Sequence, residues 1–418
     1  MKWGIFSASI IFAITICAIL VHIKHPIPNG ITEPEKFRML TISTKFLDYL
    51  IHFRSLIQPI EFVDIITMRQ ITALITWFGK AQREVTDDNI AVTVTTFDGV
   101  LVRIFEPAVR SNETLPGFIY LHGGGACLGD TEFYAWLTGR FAKEINAIVV
   151  SVEYPLAPEN PFPIPFETSL AASKYFLANA EAYGADPNRV AIGGDSAGGY
   201  LAALVTQFVT DDPTIPDFQL QVLVYPIIQY FHTNSPAYQK YAWDFGDGGP
   251  LPRKQIATYL SYHMFGKYDG HFIDSVTADS HMPPGWSLSD EFNDRYHHSL
   301  IPTELKHPQY YDDASVFVQG DENAWNKHKK WAIDPRSNPL NRQNFTGLAP
   351  ALIITCGFDS LRDEGIFYGQ ALSKADVDVE WKHYEGAFHG IMYLGPTMEF
   401  KLGRQMQTDV IEFLSDRL

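Results

Sequence analysis

The chain has 418 residues, of which 46% are hydrophobic and 14% aromatic, so it is long enough to bury a large core in one or two domains. Its 48 acidic residues outnumber its 32 basic residues, which gives a formal net charge of −16. A surface of this sign repels the phosphate backbone, so the composition argues against a nucleic-acid partner.

The N-terminus carries an apolar segment from Trp3 to Ile23. A helix of about 20 apolar residues is long enough to cross a bilayer. A cleaved signal peptide has a shorter apolar core and a small-residue cleavage site, and no convincing cleavage site is present. We therefore predict an uncleaved transmembrane signal anchor over residues 1–24, with a cleaved signal peptide as the alternative. No second long apolar run follows, so the rest of the chain is expected on one side of the membrane.

Residues 25–89 are predicted to form a linker and an N-terminal helical cap. The linker is rich in proline, and residues 36–81 repeat apolar side chains at helical spacing. These residues are too polar for a second membrane span, so they are expected to cover a core or a site.

Residues 90–418 are predicted to form the catalytic domain, because strands and helices alternate from residue 90 onwards. Asp98-Gly99 predicts a hairpin turn between the first two strands. The further strands are expected near 117–121, 147–152, 190–192, 220–225, 351–355 and 379–384, and helices over 166–179, 361–373 and 398–418. This alternation predicts an α/β fold with a mostly parallel central sheet flanked by helices. Residues 229–331 break the alternation and are interpreted as an insertion that acts as a lid.

A nucleophilic serine is predicted at Ser196. Gly194 and Gly198 flank it at the G-x-S-x-G spacing, with a short apolar strand before the turn and a helix-forming run after it. In such a turn glycine avoids backbone clashes, and the helix N-terminus favours an anion that forms beside the hydroxyl. Glycine-flanked serines also occur in ordinary loops, so further residues are needed.

An oxyanion hole is predicted in the glycine run that follows a buried strand. His122-Gly123-Gly124-Gly125 offers bare backbone, and the N–H groups of Gly124 and Gly125, with that of Ala197, are expected to bind an oxyanion. The alternative is a simple tight loop, which the nearby serine motif disfavours.

The base and the acid of a catalytic triad are predicted at His389 and Asp359. In sheets of this type the residues follow in the order serine, acid, histidine, and both positions come just after a predicted strand. The alternatives are Asp363, whose place in the first turn of a helix suits a structural role, and His383, which lies inside a strand. No cofactor and no metal is predicted, because the fourteen histidines show no convincing metal-ligand spacing.

Two cysteines and two asparagines bear on the cellular compartment. Cys127 and Cys356 lie outside the predicted anchor, and such a pair suits either one disulfide in an oxidising lumen or two free buried thiols. Asn112 and Asn344 begin glycosylation sequons, which permit a lumenal location without proving it.

Six segments together resemble the hormone-sensitive lipase group of α/β-hydrolases, and with the N-terminal anchor the chain looks most like the arylacetamide deacetylase and neutral cholesterol ester hydrolase branch. The segments are HGGG at 122–125, YPLAPE at 154–159, GGDSAGG at 193–199, DSLRDE at 359–364, FHG at 388–390 and DPRSNPL at 334–340. The resemblance implies a single-pass type II protein of the endoplasmic reticulum membrane with a lumenal catalytic domain. It also implies a disulfide between Cys127 and Cys356. Pro155 departs from the arginine that is usual in this group.

The function expected from these residues is a membrane-anchored serine hydrolase that cleaves carboxylic esters or amides through a Ser–His–Asp triad and an acyl-enzyme. The resemblance implies lipid or xenobiotic acyl substrates. One alternative is a non-catalytic ligand-binding or adhesion protein on a hydrolase fold, which usually lacks a triad residue. Another is a serine peptidase, which the glycine run disfavours. The expected partners are a small-molecule or lipid substrate and the membrane.

Overall fold

The computed structural model describes residues 27–57, 64–71, 73, 89–109, 114–246, 248–312, 316, 320–395 and 398–418. The predicted anchor over residues 1–24 and the sequon at Asn112 lie outside these residues. Within them, no helix combines the length and apolar character needed to cross a membrane.

The helices and strands alternate along most of the chain. In order they are α1 (Pro34–Ile57), a helical segment over 64–71, β1 (Ile90–Phe97), β2 (Val100–Pro107), β3 (Leu115–Leu121), α2 (Ala135–Ile145), β4 (Ile148–Val152), α3 (Ile164–Asn179), β5 (Ala185–Asp195), α4 (Ala197–Thr210), β6 (Leu220–Val224), α5 (Pro236–Phe245), α6 (Arg253–Phe265), α7 (Gly270–Thr277), α8 (Asp290–Arg295), α9 (Glu322–Ala332), β7 (Ala351–Phe358), α10 (Arg362–Lys374), β8 (Val379–Phe388) and α11 (Lys401–Arg417).

The strands form one eight-stranded sheet in the order β1-β2-β4-β3-β5-β6-β7-β8. Strand β2 runs antiparallel to both of its neighbours, and every other adjacent pair is parallel. The predicted α/β fold with a mostly parallel central sheet is therefore confirmed. The carboxyl ends of β3, β5, β7 and β8 meet at one edge, which is where the predicted site residues follow.

The turn between β1 and β2 forms where the sequence predicts it. Asp98 and Gly99 both adopt a positive φ, 48° and 82°, and Phe97 pairs with Val100 across the turn. Two positive φ values give a hairpin turn whose twist matches that of the strands, and aspartate followed by glycine accepts this conformation at low cost.

Both faces of the sheet are covered by helices, which explains the continuous apolar runs in its central strands. Every residue of β4, β6 and β7 is buried. One hydrophobic cluster joins the sheet to α3, α4 and α10, and a second joins its other face to α2 and α11. Strands buried on both faces lose the alternation of polar and apolar residues, as parallel sheets do.

Within the described residues of the insertion over 229–331, the chain forms the short α-helices α5 to α9 and three 3₁₀ helices. The α-helices run from 6 to 13 residues, which is too short for a clear apolar period to emerge from the sequence. Aromatic side chains hold the insertion together, with Trp286 packed against Phe231, Phe292 and Tyr296 at ring-centroid distances of 4.9 to 6.0 Å.

Candidate active site

Ser196 lies at the sharp turn between β5 and α4. Its backbone has φ 54° and ψ −118°, a conformation that costs a residue with a side chain about 1–3 kcal/mol. The Ser196 N–H donates to the carbonyl of Val224 at 2.9 Å, which ties the turn to β6. The turn thus holds the hydroxyl at the carboxyl edge of the sheet.

Gly194 and Gly198 are needed because the backbone packs against backbone on both sides of the serine. A Cβ atom at Gly198 would overlap the carbonyl groups of Leu121 and His122, and one at Gly194 would overlap Leu121 and Gly198. The absence of these side chains lets the end of β3 approach the serine turn, so the glycine run after β3 reaches Ser196.

A continuous hydrogen-bonded chain joins Ser196, His389 and Asp359. His389 Nε2 lies 2.9 Å from Ser196 Oγ, and His389 Nδ1 lies 2.8 Å from Asp359 Oδ2. Asp359 is 1% exposed, and its other oxygen accepts the N–H of Leu361 at 2.9 Å. With Nδ1–H donating to the carboxylate, Nε2 is free to accept the serine proton.

The two alternative residues have other partners. Asp363 pairs with Arg362 at 2.8 Å and accepts the N–H of Ala237 at 2.7 Å, which ties the start of α5 to α10. His383 lies 3.0 Å from both Thr355 Oγ1 and Glu385 Oε2. Among the described residues, neither is hydrogen-bonded to Ser196 or His389.

Three backbone N–H groups near the serine donate to no acceptor in the described part of the chain, those of Gly124, Gly125 and Ala197. Gly124 and Gly125 have φ values of 114° and 64°, which favour glycine, and Ala197 is the first residue of α4. Free N–H groups at a helix N-terminus and in a glycine loop are suited to bind an oxyanion.

Asp195 is a supporting residue that the sequence reasoning missed. Its buried carboxylate accepts hydrogen bonds from Tyr120 Oη at 2.8 Å, Tyr134 Oη at 3.0 Å and the N–H of Gly123 at 3.0 Å. Burial raises the pKa of Asp195, although its hydrogen bonds act in the opposite direction. The side chain next to the nucleophile therefore anchors the glycine run. Its place in the G-x-S-x-G motif was the available signal, but nothing in the sequence indicated its partners.

His122 supports the glycine run from the opposite side. Its ring stacks on Tyr154 at 4.4 Å between centroids, and Tyr154 Oη donates to the His122 carbonyl at 2.6 Å. The Nδ1 atom of His122 lies 2.8 Å from the carbonyl of Gly123. The first residue of the glycine motif is thus a buried structural support.

A cavity of about 330 Å³ opens over Ser196. Its walls come from the glycine run, from α6 in the insertion and from α1 in the N-terminal region; residues of α6 and α1 that line it include Ile256, Tyr259, Leu260, His263, Leu40, Thr44 and Leu47. Most of this lining is apolar, as is usual for small-molecule sites. The predicted N-terminal cap and the predicted lid therefore both contribute walls to the cavity.

The disulfide expected between Cys127 and Cys356 is not formed, and that prediction is wrong for this structure. Both are free buried thiols. Cys127 packs in a small cluster with Ala157 and Tyr262, whereas Cys356 belongs to the large cluster under α11. The two thiols thus belong to different clusters, and no disulfide joins them. Burial raises the pKa of both thiols.

Two further sequence predictions concern Asn344 and metal ions. Asn344 is exposed, and its Oδ1 accepts the N–H of Thr346 at 2.9 Å, so the sequon lies on a surface turn. Within the residues that the structure covers, no group of three or more histidine, cysteine or acidic side chains could hold a metal ion.

Comparison with known proteins agrees with the geometry. Residues 118–285 and 302–393 match the family with the α/β-hydrolase fold. Arylacetamide deacetylase from Bos taurus is 32% identical to 95% of this chain, over 96% of its own length. Neutral cholesterol ester hydrolase 1 from Mus musculus is 31% identical, covering 99% of this chain and all of its own length.

Solved structures share the fold. An α/β-hydrolase enzyme from the metagenome of Lake Arreo superposes with a TM-score of 0.59 at 25% identity, covering 84% of this chain and 89% of its own. The metagenomic carboxylesterase EstE1 superposes with a TM-score of 0.62 at 22% identity, covering 85% of this chain and 97% of its own. On these matches the chain belongs to the α/β-hydrolase family and is a carboxylic ester hydrolase.

Proposed function

We propose that the chain is a membrane-anchored serine hydrolase that cleaves carboxylic esters or amides through Ser196, His389 and Asp359. The observation that carries the proposal is the hydrogen-bonded chain from Asp359 Oδ2 through His389 to Ser196 Oγ, at 2.8 and 2.9 Å. It ends on a hydroxyl in a strained turn, near the N–H groups of Gly124, Gly125 and Ala197, which donate to no acceptor among the residues that the structure describes.

In the proposed reaction, His389 Nε2 takes the proton of Ser196 Oγ as this oxygen bonds to the carbonyl carbon of the substrate. The negative charge moves to the carbonyl oxygen, which the N–H groups of Gly124, Gly125 and Ala197 bind. His389 then gives its proton to the leaving alcohol or amine, and the acyl group remains on Ser196. Water, deprotonated by His389, releases the acid and restores the serine.

Asp359 acts on the base in both halves of this reaction. Its buried carboxylate accepts Nδ1–H of His389, so Nε2 is the nitrogen that faces the serine. The carboxylate also stabilises the imidazolium that forms when His389 takes the proton. The Leu361 N–H binds the second carboxylate oxygen, which favours the orientation of the acid toward the ring.

Lipid or xenobiotic acyl compounds are the proposed substrates. The cavity is mainly apolar, and two relatives are named for arylacetamide and cholesterol ester cleavage. We place the anchor at residues 1–24 in the endoplasmic reticulum membrane, with the catalytic domain in the lumen and Asn112 and Asn344 glycosylated. The chain would then leave the bilayer shortly before α1, whose side chains line the cavity.

The test is hydrolysis of p-nitrophenyl esters of increasing acyl length by the full chain in microsomal membranes. We expect activity to stay with the membranes after alkaline carbonate extraction and to fall about a millionfold in Ser196→Ala. The matched control is Ser360→Ala, because Ser360 is buried beside the acid but donates to Leu251 O at 3.2 Å. Equal rates for wild type and Ser196→Ala, both folded, would contradict the proposal.

A further inference from the structure

The helical segment over 64–71 contacts the oxyanion loop, here defined as residues 122–129. Ile65 is 2% exposed and packs in one cluster with Cys127, Ala157 and Tyr262. None of these four residues belongs to the glycine motif or to the triad. Their contacts place the chain ahead of β1 directly against the loop that supplies two oxyanion donors.

Arg69 bonds the segment to three acceptors in two loops of the catalytic domain. Its Nε donates to the carbonyl of Cys127 at 2.7 Å, and Nη2 donates to the carbonyl of Ala157 at 2.5 Å. Its Nη1 pairs with Glu159 at 2.7 Å. A planar guanidinium can serve three acceptors in fixed directions, whereas a lysine ammonium presents a single point charge.

The carbonyl that Arg69 holds belongs to the turn that contains the oxyanion donors. Gly124 O accepts the N–H of Cys127 at 3.0 Å and that of Leu128 at 2.9 Å, so residues 124–128 form one tight turn. The Leu128 N–H shares a peptide plane with the Cys127 carbonyl, and the Gly124 carbonyl shares one with the Gly125 N–H. A shift of the Cys127 carbonyl would therefore displace the Gly125 donor most directly.

A second contact joins the two loops that Arg69 holds. Ala157 N donates to Ala126 O at 2.8 Å, so the loop over 154–159 is bonded to the oxyanion loop, and Arg69 bridges the carbonyls of both loops. The segment has a further polar contact, since Tyr262 Oη lies 3.0 Å from both carboxylate oxygens of Asp64.

We propose that Arg69 is a positioning residue that fixes the oxyanion loop from outside the catalytic domain. The inference rests on the proposed function for its kinetic consequence. It assigns the N-terminal region a part in transition-state stabilisation, in addition to lining the cavity.

The kinetic test compares Arg69→Ala and Arg69→Lys with Arg54→Ala. Arg54 is the matched control because it bonds Thr67 Oγ1 at 3.0 Å and Gln70 at 2.6 Å on the same segment. We expect kcat to fall about 100-fold in Arg69→Ala, since a misplacement near 1 Å is enough for such a loss, with KM little changed. A trifluoromethyl ketone, which mimics the tetrahedral state, should lose affinity in the same proportion, and added guanidinium should restore part of kcat.

A second readout does not depend on activity. In a Ser196→Ala background, alkylation of Cys127 by iodoacetamide should accelerate in Arg69→Ala and stay slow in Arg54→Ala. Cys356, buried in the sheet, is the internal reference. If the wild-type chain hydrolyses no ester, the proposed function fails while this labelling test still decides the role of Arg69.

Wild-type kcat, inhibitor affinity and Cys127 protection in folded Arg69→Ala would overturn the proposal. If Arg69→Ala does not fold, Arg69→Lys and Glu159→Gln take its place, because each removes part of the contact set. Full kcat and full Cys127 protection in both folded variants would overturn the proposal equally. Loss of kcat with unchanged inhibitor affinity would also overturn it, because the effect would then lie outside the oxyanion site.

Discussion

The sheet edge that carries Ser196 and the helices that cover it hold their active-site residues in different ways. At the edge, Ser196, Asp359 and His389 each follow directly after a strand, and the parallel sheet brings these strand ends together. In the cover, the contacts join helices and loops whose sequence carries no such marker, as Arg69 and Cys127 or Asp64 and Tyr262 do. Chemistry placed at strand ends is visible in a sequence, and a wall built from contacts without such a marker is not.

After removal of the nucleophile itself, the largest effect is expected at the edge, from Asp359→Asn. The amide would leave the geometry intact but could donate to Nδ1 of His389, which favours the tautomer with a proton on Nε2. We expect kcat for a p-nitrophenyl ester to fall about 10⁴-fold. His383→Ala is the control, because His383 contacts Thr355 and Glu385 instead of the triad. A comparable loss in His383→Ala, with the fold retained, would show that the acid and base are assigned to the wrong residues.

A smaller effect is expected where the edge and the cover touch, at Gly125. A Cβ atom there would lie 2.8 Å from the Tyr259 ring of α6, and the residue has φ 64°. We expect Gly125→Ala to lower kcat about 10- to 100-fold by displacing an oxyanion N–H, and Tyr259→Ala in the same chain to restore part of it.

Gly246→Ala is the matched control for this prediction, because Gly246 has a similar φ of 60° and nothing within 4 Å of an added Cβ. It isolates the cost of a positive φ for a residue with a side chain, about 1–3 kcal/mol in stability. If the double variant recovers no activity relative to Gly125→Ala, contact between the loop and α6 does not set the position of the donor.

The difference between the sheet edge and its cover also explains which features the sequence predicts correctly. The parallel sheet, the Asp98-Gly99 hairpin and the order serine, acid, histidine follow from strand ends and turn residues. Helix α2 was missed because it has only 11 residues, with Gly139 in its middle where the backbone passes Phe105. Spacing along the chain also cannot tell which cluster a thiol enters, so Cys127 and Cys356 were paired wrongly by resemblance.

Glu364 is a titratable residue that connects the sheet edge to the insertion. Of the test variants, a substitution at Glu364 is expected to change kcat least. It lies on α10 near the acid, and its Oε2 accepts the N–H groups of Ile228 and Gln229, both at 2.8 Å, where the insertion begins. Burial raises the pKa of Glu364 to about 8, and the two N–H bonds act in the opposite direction. Its Oε1 accepts longer hydrogen bonds, from Gln229 Nε2 and Tyr238 Oη, both at 3.3 Å.

A raised pKa in the folded state has a definite sign for stability. Between about pH 4.5 and pH 8 the folded chain binds a proton at Glu364 that the unfolded chain has released, so this group's contribution to the unfolding free energy is greatest at low pH and declines as pH rises. The difference in unfolding free energy between wild type and Glu364→Gln should change by up to about 1.4 kcal/mol per pH unit in this window. Urea unfolding at pH 5, 6, 7 and 8 measures it, with kcat at pH 7 expected to change less than in the two preceding variants. A difference that is flat across these four pH values would mean that Glu364 is already ionised in the folded chain, and that the insertion is held to α10 by a carboxylate accepting two N–H groups.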